Sequence, residues 1–418
     1  MLTVATRPIL RYPVSIINDF TMKPSKRDLI TYGAVALIII IAVVGGVLTR
    51  SKNTASSTTD DNTNTVAPAV PKNPIALKDV CATCTALAGD AEGTVIIDPS
   101  TGTTESTIAK DADASFATLQ SRSLAPSGTS EIVITDDYQR IYRITFPLGA
   151  PQLLYTAGTG ESLNFVAWSP DEKTAVFGVG VTSDTNSSAS DVLPTIVYTA
   201  DLTAGTATKT FSASSVSGTA LENTVPIAVT NGGARTIVAT VDANNEVTFH
   251  YWDKGAKFLK EVPVSITVDS FFAQTGGASD RLLWAETDGL HAALLKDFTE
   301  KTFEVSTWSD VPFGSPSPDG TKVVYLKAND AADAGIPTLL DLNTGVETAL
   351  TADTVTDSYG LSGSFWTPDS SWFVFTDFTA ATPLSRSLNV TLTDQKIRDI
   401  SDSALPAASQ MYAFLKKA

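Results

Sequence analysis

The chain has 418 residues and a formal charge of −16, and 18% of its residues are charged while 43% are hydrophobic. The part after residue 50 carries −20, because residues 1–50 hold six Lys or Arg against two Asp or Glu. A surface this acidic repels phosphate groups, which excludes nucleic acid as an expected partner. The only cysteines are Cys81 and Cys84, so there is no disulfide framework and stability must come from a large core.

The first predicted element is a transmembrane helix over residues 29–49. This segment has no charged residue, and its 21 residues would span about 31 Å as a helix, close to the thickness of a bilayer core. Five Lys or Arg residues precede it, whereas only Arg50 and Lys52 follow it closely. Because basic residues favour the cytoplasmic side, we expect a single-pass, uncleaved signal anchor in the cell membrane with residues 1–28 in the cytoplasm.

A stalk and a folded domain follow the helix. Residues 51–74 are rich in Ser, Thr, Asn, Asp and Pro and offer almost nothing to bury, which predicts a disordered tether. Residues 80–418 are expected to fold as one domain, and an abundance of Thr, Ser and Val suits strands better than long helices. We therefore expect an all-β domain outside the cytoplasm.

A sequence repeat organises this domain. In three copies a turn with Pro and Asp precedes an apolar run that begins five residues after the proline: Trp168-Ser169-Pro170-Asp171, Ser317-Pro318-Asp319-Gly320 and Trp366-Thr367-Pro368-Asp369. Weaker copies keep a turn near residues 126, 231 and 276. Neighbouring turns are 42 to 61 residues apart, and all but one of these spacings match a four-stranded propeller blade.

The turn residues indicate how the strands connect. Pro fixes φ and Gly accepts a positive φ, so each repeat predicts a tight turn between a first and a second strand. A second pattern, Asp-x-x-x-Gly, begins at Asp98, Asp201 and Asp341 and separates other strand-like segments. We assign this pattern to the hairpin that joins a third strand to a fourth.

The Ser/Trp-x-Pro-Asp-Gly hairpin followed by an apolar strand resembles the TolB-type, WD-repeat-like β-propeller family. The resemblance covers about residues 80–418, with three strong repeats and three degenerate ones. It implies a β-propeller fold. Because the family includes assembly factors, sensors, lactone-handling enzymes and peptidase domains, the resemblance implies neither one function nor any catalytic residue.

Two blade numbers are compatible with the repeats. Six turns imply six blades, but the strand-like residues 94–97 and the Asp98 turn precede the first of them. Such a remnant needs a partner, and residues 411–415 can supply the missing first strand by pairing the two ends of the domain. We expect about seven four-stranded blades closed in this way, and six is the alternative.

The longest predicted insertions lie between second and third strands, over residues 179–194, 328–337 and 377–388. This concentration of loop length makes one face of the propeller the expected binding surface. Polar residues there can contact a basic partner or coordinate a cation, and the alternative is a solvated, mobile loop. The candidate binding residues are Asp184, Asn186, Asp191, Asn329, Asp330, Asp333 and Asp377.

The pair Cys81 and Cys84 has three interpretations, which are a local disulfide, a redox pair and half of a metal site. In an extended strand, residues three apart lie about 10 Å apart, which is beyond disulfide reach. Either the chain turns between the two cysteines and they can form a disulfide, or both thiols stay free.

Residues for catalysis are not evident in the sequence. It has no Gly-x-Ser-x-Gly elbow, and its two histidines, His250 and His291, fall in different repeats. We therefore predict no catalytic residue, no metal site and no cofactor.

Two functions remain compatible with these features. The favoured one is non-enzymatic: a membrane-tethered scaffold or sensor in the cell envelope that binds a protein or an envelope component. The alternative is a propeller hydrolase or lyase, or a small-ligand or metal binder, that uses carboxylates at the central channel.

Overall fold

The structure is a computed structural model. It describes residues 74–90, 93–101, 103–109, 122–135, 137–146, 151–181, 192–216, 221–242, 247–266, 272–275, 280–286, 289–305, 314–329, 334–350, 359–377, 384–389, 397–400 and 410–416. None of the helices in these ranges is long and apolar enough to cross a membrane. The predicted cytoplasmic segment 1–28, the transmembrane helix 29–49 and the stalk 51–74, except Pro74, lie outside the described residues.

The described residues form seven antiparallel sheets, six of four strands and one of three. In six of the sheets, consecutive strands of the chain are also neighbours in the sheet. The strands alternate with short turns, as the repeat pattern predicted. The all-β prediction is therefore confirmed.

Sheet 1 joins the two ends of the described chain. Its strands are β1 Cys84–Asp90, β2 Gly93–Asp98, β3 Thr103–Ala109 and β27 Gln410–Lys416, in the order β27-β1-β2-β3. The last strand runs antiparallel to β1, with Phe414 opposite Ala86. The predicted pairing of residues 411–415 with the start of the domain is thus present, and it covers an edge of β1 that would otherwise expose unpaired N–H and C=O groups.

Sheets 2 to 4 follow in chain order, each as a four-stranded meander. Sheet 2 contains β4 Arg122–Leu124, β5 Ser130–Ile134, β6 Arg140–Thr145 and β7 Gln152–Thr156. Sheet 3 contains β8 Glu161–Trp168, β9 Thr174–Val181, β10 Ile196–Asp201 and β11 Thr206–Ser212. Sheet 4 contains β12 Leu221–Val229, β13 Arg235–Asp242, β14 Val247–Asp253 and β15 Lys260–Glu261.

Sheets 5 to 7 complete the series. Sheet 5 contains β16 Phe272–Gln274, β17 Arg281–Glu286, β18 Gly289–Leu294 and β19 Glu300–Phe303. Sheet 6 contains β20 Lys322–Asn329, β21 Ala334–Asp341 and β22 Glu347–Ala349. Sheet 7 contains β23 Tyr359–Trp366, β24 Trp372–Asp377, β25 Leu384–Asn389 and β26 Ile397–Asp399.

Helical structure within the described ranges is confined to short pieces. These are α1 Leu77–Cys81, α2 Ala213–Val216 and a 3-10 turn at Asn231–Gly233. The chain turns directly after α1, which brings the Cα atoms of Cys81 and Cys84 to 5.4 Å, and a disulfide joins the two residues. Because Leu77 is fully buried, the folded part takes in residues ahead of the expected boundary at Val80.

Most of the core lies between neighbouring sheets, because successive residues of a strand face opposite sides. In β9, for example, Phe177 packs in a cluster shared with sheet 2, whereas Val176 packs in a cluster shared with sheet 4. Every residue of β9 except the last is buried. This arrangement explains why the second strand of a repeat reads as a continuous apolar run rather than as an alternating one.

Two tryptophans beside the repeat turns connect adjacent sheets. The Trp168 indole N–H donates to the Ser123 carbonyl of sheet 2 at 3.1 Å, and the Trp366 indole N–H donates to the Ser315 carbonyl, ahead of sheet 6, at 2.7 Å. Both tryptophans lie at the end of the first strand of their own sheet. The repeat therefore encodes a contact between sheets as well as a turn.

The connections define two ends of the sheets. The turn end carries the connections from first to second and from third to fourth strands, and the first-to-second turns at 125–129, 169–173, 230–234 and 367–371 have five residues each. The link end carries the second-to-third connections and the links from sheet to sheet. The Asp-x-x-x-Gly turns join β2 to β3 and β10 to β11, which are the third and fourth strands of sheets 1 and 3, as the sequence predicted. In three-stranded sheet 6, β20 follows the Ser317 turn and so corresponds to a second strand, and the Asp341 turn joins the last two strands, β21 and β22.

Candidate functional site

Two of the seven predicted binding residues are described by the structure, and both lie at the link end. Asp184, Asn186, Asp191, Asp330 and Asp333 lie outside the described residues. Asn329 is the last residue of β20 and Asp377 is the last residue of β24, and both strands end at the link end of neighbouring sheets. The fold thus brings the ends of two candidate-bearing strands to the same side of the molecule.

Two of the predicted insertions are shorter than expected. The strands β20 and β21 remain paired up to Asn329 and Ala334, so only residues 330–333 separate them instead of 328–337. Likewise, β24 and β25 stay paired up to Asp377 and Leu384, so residues 378–383 separate them instead of 377–388. The predictions were wrong because the polar and small residues at these positions do not prevent backbone pairing in a hairpin.

The longest second-to-third connection is that of sheet 3, between Val181 and Ile196. Its returning arm, residues 192–195, is fixed to the first strands of sheets 3 and 4. The Asn164 side chain donates to the Val192 carbonyl at 2.9 Å, and the Thr224 N–H donates to the Pro194 carbonyl at 2.7 Å. The described part of the insertion is therefore attached to β8 and β12 by hydrogen bonds.

Two glycines allow the arm to approach the sheet this closely. A Cβ at Gly178 would lie 2.4 Å from the Pro194 Cγ, and a Cβ at Gly180 would lie 2.5 Å from the Val192 Cγ1. Both distances are shorter than any real contact, so a side chain at either position would displace the arm. The signal for this was present in the sequence as Gly-x-Gly inside an apolar strand, which marks a close backbone approach.

At the turn end, the repeated hydroxyl and aspartate close each hairpin. Ser169, Ser317 and Thr367 each donate to the aspartate two residues later, at 2.5 to 2.6 Å. Each hydroxyl oxygen also accepts a hydrogen bond from the backbone N–H of the residue five positions later in the chain, at 3.0 Å. Because the motif satisfies polar groups of its own turn, its serines and aspartates serve the hairpin and are not available as a catalytic set.

The fourth residue of these turns has a left-handed backbone and links the sheets. Glycine fills the position at Gly128, Gly233 and Gly320, but Glu172 and Ser370 adopt φ of 56° and 59°. Glu172 accepts hydrogen bonds from the Ser127 N–H and hydroxyl of sheet 2, and Ser370 accepts the Asp319 N–H of sheet 6 at 3.2 Å. These contacts offset the strain of a side chain at positive φ.

Asp280, directly before β17, is the carboxyl at the turn end whose pKa is raised. Burial raises its pKa to about 6, a hydrogen bond from Gln274 at 2.8 Å opposes this, and repulsion from Asp171 of sheet 3 adds to it. Gln274 also bonds the Val229 carbonyl, while Asn231 accepts the Asp171 N–H at 2.9 Å. Gln274 therefore ties Asp280 to sheet 4, and the Asp171 carboxylate of sheet 3 is near enough to repel the charge on Asp280.

The motif aspartate of sheet 6 behaves in the opposite way. Burial alone would raise the pKa of Asp319, but hydrogen bonds from Lys322, Ser317 and Thr321 outweigh it and hold the pKa at about 2. Asp319 is thus an ionised turn residue at neutral pH, whereas Asp280 titrates close to neutrality. A carboxyl with a pKa near 6 can hold and release a proton under physiological conditions.

Both histidines are engaged inside their own sheets. His250 Nδ1 lies 2.9 Å from the Thr240 hydroxyl, and burial lowers its pKa. His291 Nδ1 lies 2.8 Å from the Glu300 carboxylate, and its ring stacks on Trp284. Across the ranges that the structure describes, no three His, Cys, Asp or Glu side chains come together in a way that could hold a metal ion.

Comparison with known proteins identifies the fold. No protein-family model and no curated protein matches the sequence. An oligogalacturonate lyase from Vibrio parahaemolyticus aligns with a TM-score of 0.51 at 11% identity, over 78% of this chain and 90% of its own. An oligogalacturonate lyase in complex with manganese aligns with a TM-score of 0.50 at 10% identity, over 80% of this chain and 90% of its own. TolB from Acinetobacter baumannii aligns at 12% identity over 90% of this chain and 92% of its own. Its TM-score is only 0.37, so no conclusion is drawn from that similarity.

At these identities the lyase structures show the fold alone. That fold is a β-propeller built from antiparallel sheets, which confirms the β-propeller class expected from the repeats. The fold therefore defines this chain as a β-propeller protein, but the fold does not define an activity.

Asp280 and Asp319 are expected to change the stability of the fold with pH in opposite directions. The pKa of Asp280 in the folded state lies above the unfolded value near 3.8, so its favourable contribution is present below about pH 4 and is lost as the pH rises through 6. Asp280→Asn should therefore be more stable than the wild type at pH 7.5, by roughly 2–3 kcal/mol, and equal to it near pH 3.5.

Asp319→Asn is the matched control for this prediction. Because the folded pKa of Asp319 lies below the unfolded value, its contribution is present above about pH 4 and is lost as the pH falls towards 2. This variant should be less stable than the wild type at pH 7.5. Urea unfolding curves across this pH range measure both effects, and a loss of stability in Asp280→Asn at pH 7.5 would contradict the assignment.

Proposed function

We propose that this chain is a single-pass membrane protein whose seven sheets are the seven blades of one β-propeller outside the cytoplasm. It acts as a scaffold or sensor in the cell envelope and binds a protein or an envelope component through the link end. The contrast between the two ends supports this proposal most directly. Polar side chains at the turn end are used inside turns and between sheets, whereas the link end holds the longest connection on a rigid base.

Charge indicates the chemistry of the partner. The chain beyond residue 50 carries a formal charge of −20, and the second-to-third connections and their flanking strand ends include the candidate acids Asp184, Asp191, Asp330, Asp333 and Asp377 in sequence. A basic patch on the partner is complementary to such a surface and speeds their encounter. Asn186 and Asn329 add neutral hydrogen-bonding groups to the same surface.

Two observations favour a location outside the cytoplasm. The disulfide between Cys81 and Cys84 is a bond that persists in oxidising compartments. The excess of basic residues ahead of residues 29–49 favours a cytoplasmic N-terminus for residues 1–28. In this arrangement residues 51–74 serve as the stalk that carries the propeller away from the membrane.

Cross-linking on intact cells tests the partner and the topology together. The tagged full-length chain is treated with an amine-reactive cross-linker that does not cross membranes, then solubilised and purified. We expect one specific partner to be captured by the wild type, and about tenfold less of it by Asp184→Asn/Asp191→Asn, because the lost charges weaken pairing with a basic patch.

The double variant Asp201→Asn/Asp341→Asn is the matched control. It also removes two negative charges, but from the turn end. Asparagine can keep the turn hydrogen bonds that these aspartates accept from the backbone. The control should capture the partner as the wild type does. Equal loss in both variants would contradict recognition by the link end, and capture that requires lysed cells would place the propeller in the cytoplasm.

Asp280 supports a second candidate function, which is acid–base chemistry at the turn end. Its pKa of about 6, beside a second carboxylate, suits a general acid or base near neutral pH. Oligogalacturonate is the first substrate to test, because two solved lyases for it have this fold. Cleavage by the wild type that is lost in Asp280→Asn would favour this candidate, and absence of cleavage would count against it.

A further inference from the structure

The disulfide Cys81–Cys84 lies at the junction between the last sheet and the first. The cluster around it combines α1 with residues of both sheets. Sheet 1 contributes Ala86, Ile97 and Phe414, whereas sheet 7 contributes Trp372 and Val374. Ile400, which follows β26, completes the contact. We call this cluster the closing seam.

The segment before β1 covers the closing seam and is held at two points. At one side Ile75 forms a backbone bridge with Ile400. At the other side the disulfide ties the last residue of α1 to the first residue of β1. Between these points Leu77 and Val80 are 0% and 5% exposed, so the segment is part of the seam and not a surface appendage.

The helix α1 has little stability of its own. It has five residues, and no side chain caps its N-terminus at Ala76. An isolated helix of fewer than about 12 residues is marginal in water, so α1 depends on packing and on its covalent tie. Loss of that tie frees the C-terminal turn of α1 and exposes the apolar groups that it covers.

We infer that the Cys81–Cys84 disulfide is a redox-sensitive bond that stabilises the closing seam and so keeps β1 and β27 paired. A dithiol reductant opens it by thiolate attack on one Sγ, which forms a mixed disulfide. The second thiol of the reductant then displaces the protein sulfur. The protein gains two electrons and two protons as two thiols, and the reductant becomes a disulfide. Because the chain has only these two cysteines, no other pairing competes.

Burial protects the bond in the folded protein. Cys81 is 9% exposed and Cys84 is 2% exposed, so packing largely shields the disulfide from a reductant while α1 stays in place. The disulfide is therefore reduced only by strong or prolonged reduction, and it is stable in an oxidising compartment. This inference concerns the closure of the fold and does not depend on which partner the link end binds.

Hydrogen exchange of the full-length chain in detergent tests the inference. With dithiothreitol, amides of β1 and β27 should exchange about tenfold faster than in the oxidised protein, while those of β8 and β9 in sheet 3 should not change. The variant Cys81→Ala/Cys84→Ala is the matched control. It should show fast exchange in β1 and β27 with or without reductant.

Three results would overturn the inference. One is equal exchange in β1 and β27 of the oxidised and the reduced wild type. Another is an equal increase in all sheets, which would mean that the bond stabilises the whole fold and not the seam. The third is a response to dithiothreitol in the variant without cysteines. If that variant fails to fold, the comparison of oxidised and reduced wild type still decides between these outcomes.

Discussion

The structure depends on sheets that bury both of their faces. In β9 every residue but the last is buried, with Val176 and Phe177 packed against different neighbouring sheets. Such a sheet is stable only between two others, because an uncovered face would leave a row of large apolar side chains in water. The first and last sheets therefore have to meet, and the pairing of β27 with β1 and the closing seam provide that contact.

The same constraint separates the two ends of the molecule. At the turn end, hydrogen bonds of Trp168, Trp366, Glu172 and Ser370 connect neighbouring sheets, and four of the first-to-second turns have only five residues each. At the link end, the longest connection departs from Val181, and its described part, the returning arm, is fixed to the first strands of sheets 3 and 4. A surface that is free to vary without disturbing the packing is suited to recognition, which is the basis of the proposed scaffold or sensor.

The repeat made much of this architecture predictable from the sequence. Pro, Asp and Gly at fixed offsets gave the turns, and the apolar run at 411–415 indicated the closing strand. The turns at 169–173 and 367–371 were predicted, but the positive φ of Glu172 and Ser370 within them was not predictable, since it is compensated by contacts with other sheets. The raised pKa of Asp280 was missed for the same reason, because its burial and its neighbour Asp171 come from three-dimensional packing. The lengths of two insertions were overestimated because hairpin pairing extends through polar residues.

Thermal unfolding of a chain that ends at residue 405 tests the central claim, that closure by β27 holds the sheets together. Without Phe414 in the closing seam and without the pairing to β1, the melting temperature should fall by about 5–10 °C. A synthetic peptide of residues 406–418 should restore part of the loss, and the same peptide with Phe414→Asp should not. Unfolding of the shortened chain at the full-length temperature, or equal rescue by both peptides, would contradict the account.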